Sequence, residues 1–272
     1  MTTPHFVLFE DELWRHVATL VQARPVFTLR CGAFTAQERL AAYTGASVGG
    51  LSRPPQMGAI GPEAGPFGPL HDGRPLVLVN GRARDLAWLR DLAVAPLNTI
   101  YLDDGALLGA HISPGLASAI LYFLREQQVA DARDELCRFA AVVELPPTSP
   151  SRLISFPWEL ISLAGEQIVH DLPLLQASLP PLNDPPPEVH VRGEHVYVHP
   201  TARLDGPIVL DARDGPICID ANAHIEPFSF IQGPCFIGAG TLVASARIRA
   251  ETSLGPVCRV GGEVEASTIQ GY

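Results

Sequence analysis

From Val198 onward the chain repeats every six residues. Aliphatic residues stand at Val198, Leu204 and Leu210, then at Ile219, Ile225, Ile231, Ile237 and Val243, then at Ile248, Leu254 and Val260, and Ala266 leads a last, eroded unit. A small residue follows four places later in most units. The frame slips by three after Leu210 and by one after Val243. Strands of an ordinary sandwich alternate with a period of two, and amphipathic helices with a period near 3.6. A sustained period of six instead confines this segment to stacked units, each burying its apolar face against its neighbours.

The pattern resembles the hexapeptide repeat of left-handed parallel β-helices. In that architecture each hexad makes one short flat strand and a turn, and three hexads close a triangular coil with the lead aliphatic pointing inward. Twelve hexads imply four coils, a prism about 19 Å tall at ~4.8 Å per stacked strand. The series runs to Tyr272 with no capping helix or polar terminal repeat. We therefore expect either a chain cut short or an end covered by a partner.

Composition changes near residue 180. The segment from Leu179 to Pro187 carries five prolines and can continue neither a helix nor a central strand. It divides the chain into an α/β domain over 1–178, a stiff Pro-rich linker over 179–190 and the repeat over 191–272. In the first part, Phe6–Glu10 reads as a strand, and the spacing of Leu13, Val17, Leu20 and Val21 predicts a helix over Asp11–Ala23. Thr35 and Glu38 form a capping box that opens a short helix toward Tyr43. Residues 45–73 read as a long Gly/Pro-rich loop, and Pro75–Val79 as a buried strand. Ser113-Pro114 starts a helix running to about Gln128, and a further helix is expected over Ser155–Leu172. Apolar strands alternating with amphipathic helices predict a mostly parallel sheet covered on both faces.

Charge and residue usage exclude several classes. The net charge of −10 argues against nucleic acid as a partner. All 19 basic residues are Arg, which excludes Schiff-base chemistry, PLP attachment and a Walker-type P-loop. The five cysteines show no CxxC spacing, so neither a zinc site nor a disulfide framework is expected. The first ten residues lack the pattern of a signal peptide, and no run of 18 apolar residues is present. A reduced, cytoplasmic protein with no membrane span is expected.

Several segments carry a wider resemblance. They are Leu8-Phe9-Glu10-Asp11, Arg24-Pro25-Val26-Phe27-Thr28-Leu29-Arg30-Cys31-Gly32, Val79-Asn80-Gly81-Arg82, Pro157-Trp158-Glu159-Leu160-Ile161, Gly233-Pro234-Cys235-Phe236-Ile237-Gly238, and the stretch from Gly255 to Glu265. The chain resembles the bifunctional N-acetylglucosamine-1-phosphate uridyltransferase/glucosamine-1-phosphate acetyltransferases, and more narrowly a divergent branch of sugar nucleotidyltransferases. The resemblance implies a Rossmann-like α/β nucleotidyltransferase-like domain followed by a left-handed parallel β-helix. It also implies nucleotidyl transfer to a sugar-1-phosphate, acyl transfer from acetyl-CoA to an amino sugar, or both, with Mg²⁺ as a cofactor and a homotrimer formed through the β-helix.

Where that family carries a Gly-rich loop, a Lys-Pro pair and Asn-Gly-Asp, this chain has Glu10-Asp11-Glu12, Arg24-Pro25 and Asn80-Gly81-Arg82. The three carboxylates are expected to repel a nucleotide. Arg24, Arg30, Asn80, Gly81 and Arg82 are the expected contacts to a nucleotide or sugar phosphate, with Arg82 replacing by its charge the metal that Asp would bind. No catalytic residue is singled out. Trp158 reads as a core or interdomain anchor, and His199 and His224 as surface residues. The second reading is a degenerate, non-catalytic binding or scaffold protein.

Overall fold

The computed structural model describes residues 4–53, 73–126 and 128–272. The chain divides into two compact units, Met1–Leu29 with Ala36–Pro157, and Arg30–Thr35 with Trp158–Tyr272. These boundaries differ from those drawn on composition: residues 158–178 and the short segment Arg30–Thr35 group with the repeat.

The first unit is built on strands β1 (His5–Phe9), β2 (Val48–Leu51), β3 (Leu76–Asn80), β4 (Thr99–Asp103), β5 (Ala106–Ile112) and β6 (Ala141–Glu144). They lie in the order β2-β1-β3-β5-β4-β6. Strand β1 is parallel to both β2 and β3, and β4 is parallel to β6. Strand β5 is antiparallel to its two neighbours. Helices α1 (Ala36–Thr44), α2 (Leu89–Val94), α3 (Pro114–Arg125) and α4 (Val129–Phe139) accompany the sheet.

The apolar runs of β1 and β3 follow from burial on both sides. Val7, Phe9, Leu76 and Leu78 join one core with Ala117, Ile120, Leu121 and Leu124 of α3, a stripe at helical spacing. Phe6, Leu8, Val77 and Val79 join the other, with Leu40, Trp88 and Leu89. The helix expected over Asp11–Ala23 is instead a short 3-10 helix at Glu12–Val17. Of its apolar stripe only Val17 and Val21 are buried, while Leu13 and Leu20 stay exposed, too narrow a face to hold a long helix. Part of the loop expected over 45–73 is strand β2, and its residues 54–72 lie outside the described residues.

The second unit carries parallel strands in stacks. In one, Val196 pairs with Ile217, Ile217 with Cys235 and Cys235 with Thr252, at steps of 21, 18 and 17 residues. In a second, Arg203, His224, Leu242 and Arg259 follow the same steps. A third pairs Val209 with His190, with Phe230 and, through it, with Arg247. The long step contains the three-residue slip after Leu210, and the shorter one the single-residue slip after Val243. Leu210, Ile219, Ile225, Ile231, Ile237, Val243, Ile248 and Leu254 are fully buried in one core.

The helix expected over Ser155–Leu172 is two pieces, α5 (Glu159–Ser162) and α6 (Ala164–Leu175). The Pro-rich segment is not a free linker at its start. Leu179 is buried, the Leu182 amide donates to the Val196 carbonyl at 2.8 Å, and the Val198 amide donates to Pro180 at 3.1 Å. The hairpin Arg30–Cys31/Phe34–Thr35 is held by the same unit. The Ser253 hydroxyl donates to the Gly32 carbonyl at 2.6 Å, and the Ala33 amide donates to buried Asp171 at 3.0 Å. Gly32 has φ +72°, and a Cβ there would strike Gln167, so the hairpin tip needs glycine.

Left-handed backbone recurs down one row of turns at Asn222, Gly240 and Val257. Asn and Gly take this conformation readily, and a β-branched residue does not. Val257 is exposed, so its side chain returns little packing for the strain. Val257→Asn is expected to stabilise the unit by about 1 kcal/mol, read as a raised urea midpoint. A lowered midpoint would contradict this reading of the turn.

Candidate functional site

Phe9 and Asn80 are register partners at the carboxyl ends of β1 and β3. The residues that follow, Glu10-Asp11 and Gly81-Arg82, therefore emerge side by side at the edge where open α/β sheets bind ligands. Asp11 and Arg82 meet there as a fork. Arg82 Nε donates to Asp11 Oδ1 at 2.8 Å and Nη2 to Oδ2 at 2.6 Å. Asp11 also accepts Asn80 Nδ2 at 2.9 Å and the Leu13 amide at 3.2 Å.

Asn80 is satisfied on its other sides as well: Nδ2 donates to the Leu107 carbonyl at 3.0 Å, and Oδ1 accepts the Arg82 amide at 3.0 Å. Arg82 Nη1 reaches the Ile154 carbonyl at 2.7 Å and the Ser155 hydroxyl at 3.4 Å. The Arg82 side chain is 1% exposed. Gly81 closes the turn. Its amide donates to the Phe9 carbonyl at 2.8 Å, and a Cβ would stand 2.9 Å from that oxygen.

A second pair lies beside the first. Glu10, with no exposed side-chain surface, accepts Arg53 Nη1 at 2.5 Å, the Arg53 amide at 2.9 Å and the Val26 amide at 2.7 Å. Arg53 Nη2 donates to the carbonyls of Val21 and Arg24. Its guanidinium carbon lies 4.2 Å from the Trp14 ring centroid, a cation–π contact. The expected repulsion at Glu10-Asp11-Glu12 is thus cancelled at two of its three members, because each buried carboxylate carries its own guanidinium. A third buried pair, Arg152 with Asp103 at 3.0 Å, fixes the segment that supplies Ile154 and Ser155. Arg84 Nε adds a bond to the Ser151 carbonyl at 2.8 Å.

Of the five residues marked from sequence, Asn80, Gly81 and Arg82 come together. Arg24 is half-buried and tied by its carbonyl to Arg53. Arg30 belongs to the second unit, where its amide donates to Gln270 Oε1 at 2.6 Å, Nη1 donates to the Ala33 carbonyl and its guanidinium lies over Phe236. Sequence reasoning missed Arg53, Ser155 and the stacked rings of His16 and Phe156, whose centroids are 5.1 Å apart and planes 1° from parallel. Nothing local in the sequence marks these partners.

Trp158, expected as a core or interdomain anchor, is 61% exposed and so is no core residue. His199 contacts Thr201 at 2.8 Å and His224 contacts Asp205 at 2.8 Å. Burial pushes the Cys218 thiol up to about 12 and raises that of Cys235 further, so both stay protonated and non-nucleophilic at neutral pH.

Mg²⁺ requires oxygen ligands in near-octahedral array. Asp11 already accepts four donors and Glu10 three, each including a guanidinium. These carboxylates do not fit as ligands of a protein-held Mg²⁺. Among the described residues, no group of three or more His, Cys, Asp and Glu could hold a metal ion. No described helix is long and apolar enough to cross a membrane.

Arg53 binds a carboxylate and two carbonyls at once, which a lysine ammonium on one flexible stem cannot reproduce. Arg53→Lys is expected to lower the stability of the first unit by about 1–3 kcal/mol, whereas Arg24→Lys should stay within about 0.5 kcal/mol. Urea unfolding of the two variants checks this, and equal effects would contradict the assignment.

No curated protein matches the chain. A family model described as sugar nucleotidyl transferase matches residues 6–179, more than half of the sequence and the whole stretch that holds the three buried ion pairs. With its parallel strands delivering the paired residues to one sheet edge, the chain belongs to the sugar nucleotidyl transferase family.

Proposed function

We propose that the first unit transfers a nucleotidyl group to a sugar-1-phosphate at the carboxyl edge of β1 and β3. The family match carries this reading. In the reaction, a phosphate oxygen of the sugar-1-phosphate bonds to the α-phosphorus of a nucleoside triphosphate. The bond from that phosphorus to the β-phosphate bridging oxygen breaks, and pyrophosphate leaves. Half-buried Arg24 is the cation assigned to the phosphates. Asn80, Gly81 and Arg82 form the floor on which they rest, and Arg82 acts mainly by holding Asp11 and Ser155 in place. Any Mg²⁺ would arrive on the nucleotide.

The stacked parallel strands, with circuits of 17–21 residues, support the coiled repeat, whereas its left-handed winding and the trimer rest on the resemblance alone. Acyl transfer from acetyl-CoA has only that architecture behind it, since His199 and His224 are engaged with neighbouring side chains.

A second reading, ligand binding without catalysis, is favoured by one observation: every polar group of Asp11 and Asn80 is already engaged within the protein. Pyrophosphate release from UTP, dTTP or CTP, each with glucosamine-1-phosphate or N-acetylglucosamine-1-phosphate and Mg²⁺, separates the two. Catalysis predicts one productive pair, giving pyrophosphate and nucleotide-sugar in equal amounts. No turnover with any pair, together with a nucleotide-dependent rise in melting temperature, would replace transfer by binding alone.

A further inference from the structure

The rings of His16 and Phe156 stack within the first unit. His16 lies on the 3-10 helix that starts one residue after Asp11. Phe156 follows Ser155, whose hydroxyl lies 3.4 Å from Arg82 Nη1. Chain geometry thus brings both rings to the sheet edge occupied by the Asp11–Arg82 pair. The segment bearing Phe156 is held there by the backbone: the Ile154 amide donates to the Arg82 carbonyl and the Arg84 amide to the Arg152 carbonyl, each at 2.9 Å. His16 is exposed, and Phe156 is 36% exposed. Both stacked residues reach solvent beside a buried polar network.

We propose that the His16–Phe156 pair is the surface on which the nucleobase of the triphosphate stacks. This rests on the nucleotidyl-transfer reading above and adds the recognition of the base to it. A planar base can continue a parallel two-ring stack as a third layer, and such stacking tolerates every base because each has a π-face. The surface would therefore set affinity for nucleotides while leaving the choice among bases to groups at their edges. Phosphate contacts come from elsewhere, so the stacking contribution is separable from the charge contribution.

The test is calorimetric titration of the full chain with UTP, CTP and dTTP, with tripolyphosphate as the base-free probe and with N-acetylglucosamine-1-phosphate. It is run on the parent chain, Phe156→Leu and Phe156→Trp, after equal melting temperatures establish that the variants fold. Phe156→Leu should weaken the best nucleotide about tenfold or more, leave tripolyphosphate and the sugar phosphate within about twofold, and Phe156→Trp should retain nucleotide affinity. Equal losses for nucleotide and tripolyphosphate, a loss confined to the sugar phosphate, or no change would overturn the proposal while leaving nucleotidyl transfer standing. A parent chain that neither binds nor turns over any nucleotide would overturn both.

Discussion

The fork between Asp11 and Arg82 joins three separate stretches of chain. Asp11 ends the path from β1, Arg82 the path from β3, and the far side of the guanidinium grips Ile154 and Ser155. An ion pair taken out of water gains stability only when its remaining donors and acceptors are also met. Here they are met by Asn80, the Leu13 amide and two oxygens of the 154–155 segment. The network therefore fixes where the residues after each central strand must go, and with them the edge of the sheet at which a ligand would bind.

The absence of lysine takes its physical meaning from this arrangement. Among the described residues, six arginines are buried: Arg30, Arg39, Arg53, Arg82, Arg84 and Arg152. A guanidinium offers five donors in a planar fork and can bind a carboxylate and backbone carbonyls together. Arg53, Arg82 and Arg152 each do so. Loops that would otherwise leave carbonyls unsatisfied near the core are closed by these side chains. The same pairing leaves the Glu10-Asp11 turn without its expected negative field, so a polyanionic substrate need not face two bare carboxylates.

Information carried over short distances was legible in the sequence. The six-residue period marked the buried aliphatics of the stacked strands, and both frame slips reappear as changes in the length of a circuit. Pro75–Val79 read as a buried strand because both faces of the strand there are covered. The ion pairs were not legible, because Asp11 and Arg82 are 71 residues apart and Glu10 and Arg53 are 43 apart. Nothing local distinguishes an arginine that pairs inward from one that faces solvent. For the same reason Arg24 and Arg30 both read as phosphate contacts, although the hairpin beginning at Arg30 is held by Asp171, Ser253 and Gln270, far along the chain.

The most direct test of this account is a double-mutant cycle between Asp11 and Arg82. Asp11→Asn, Arg82→Met and the double variant would be made in a Trp158→Phe background, so that the fluorescence of Trp14 and Trp88 reports the first unit during urea unfolding. Each single change strands one partner of a buried pair and should cost about 3–5 kcal/mol. The double variant should cost less than the sum, leaving a coupling of about 1–3 kcal/mol. Costs that add to within about 0.5 kcal/mol would mean that the two side chains do not depend on one another, and that some other interaction holds the ends of β1 and β3.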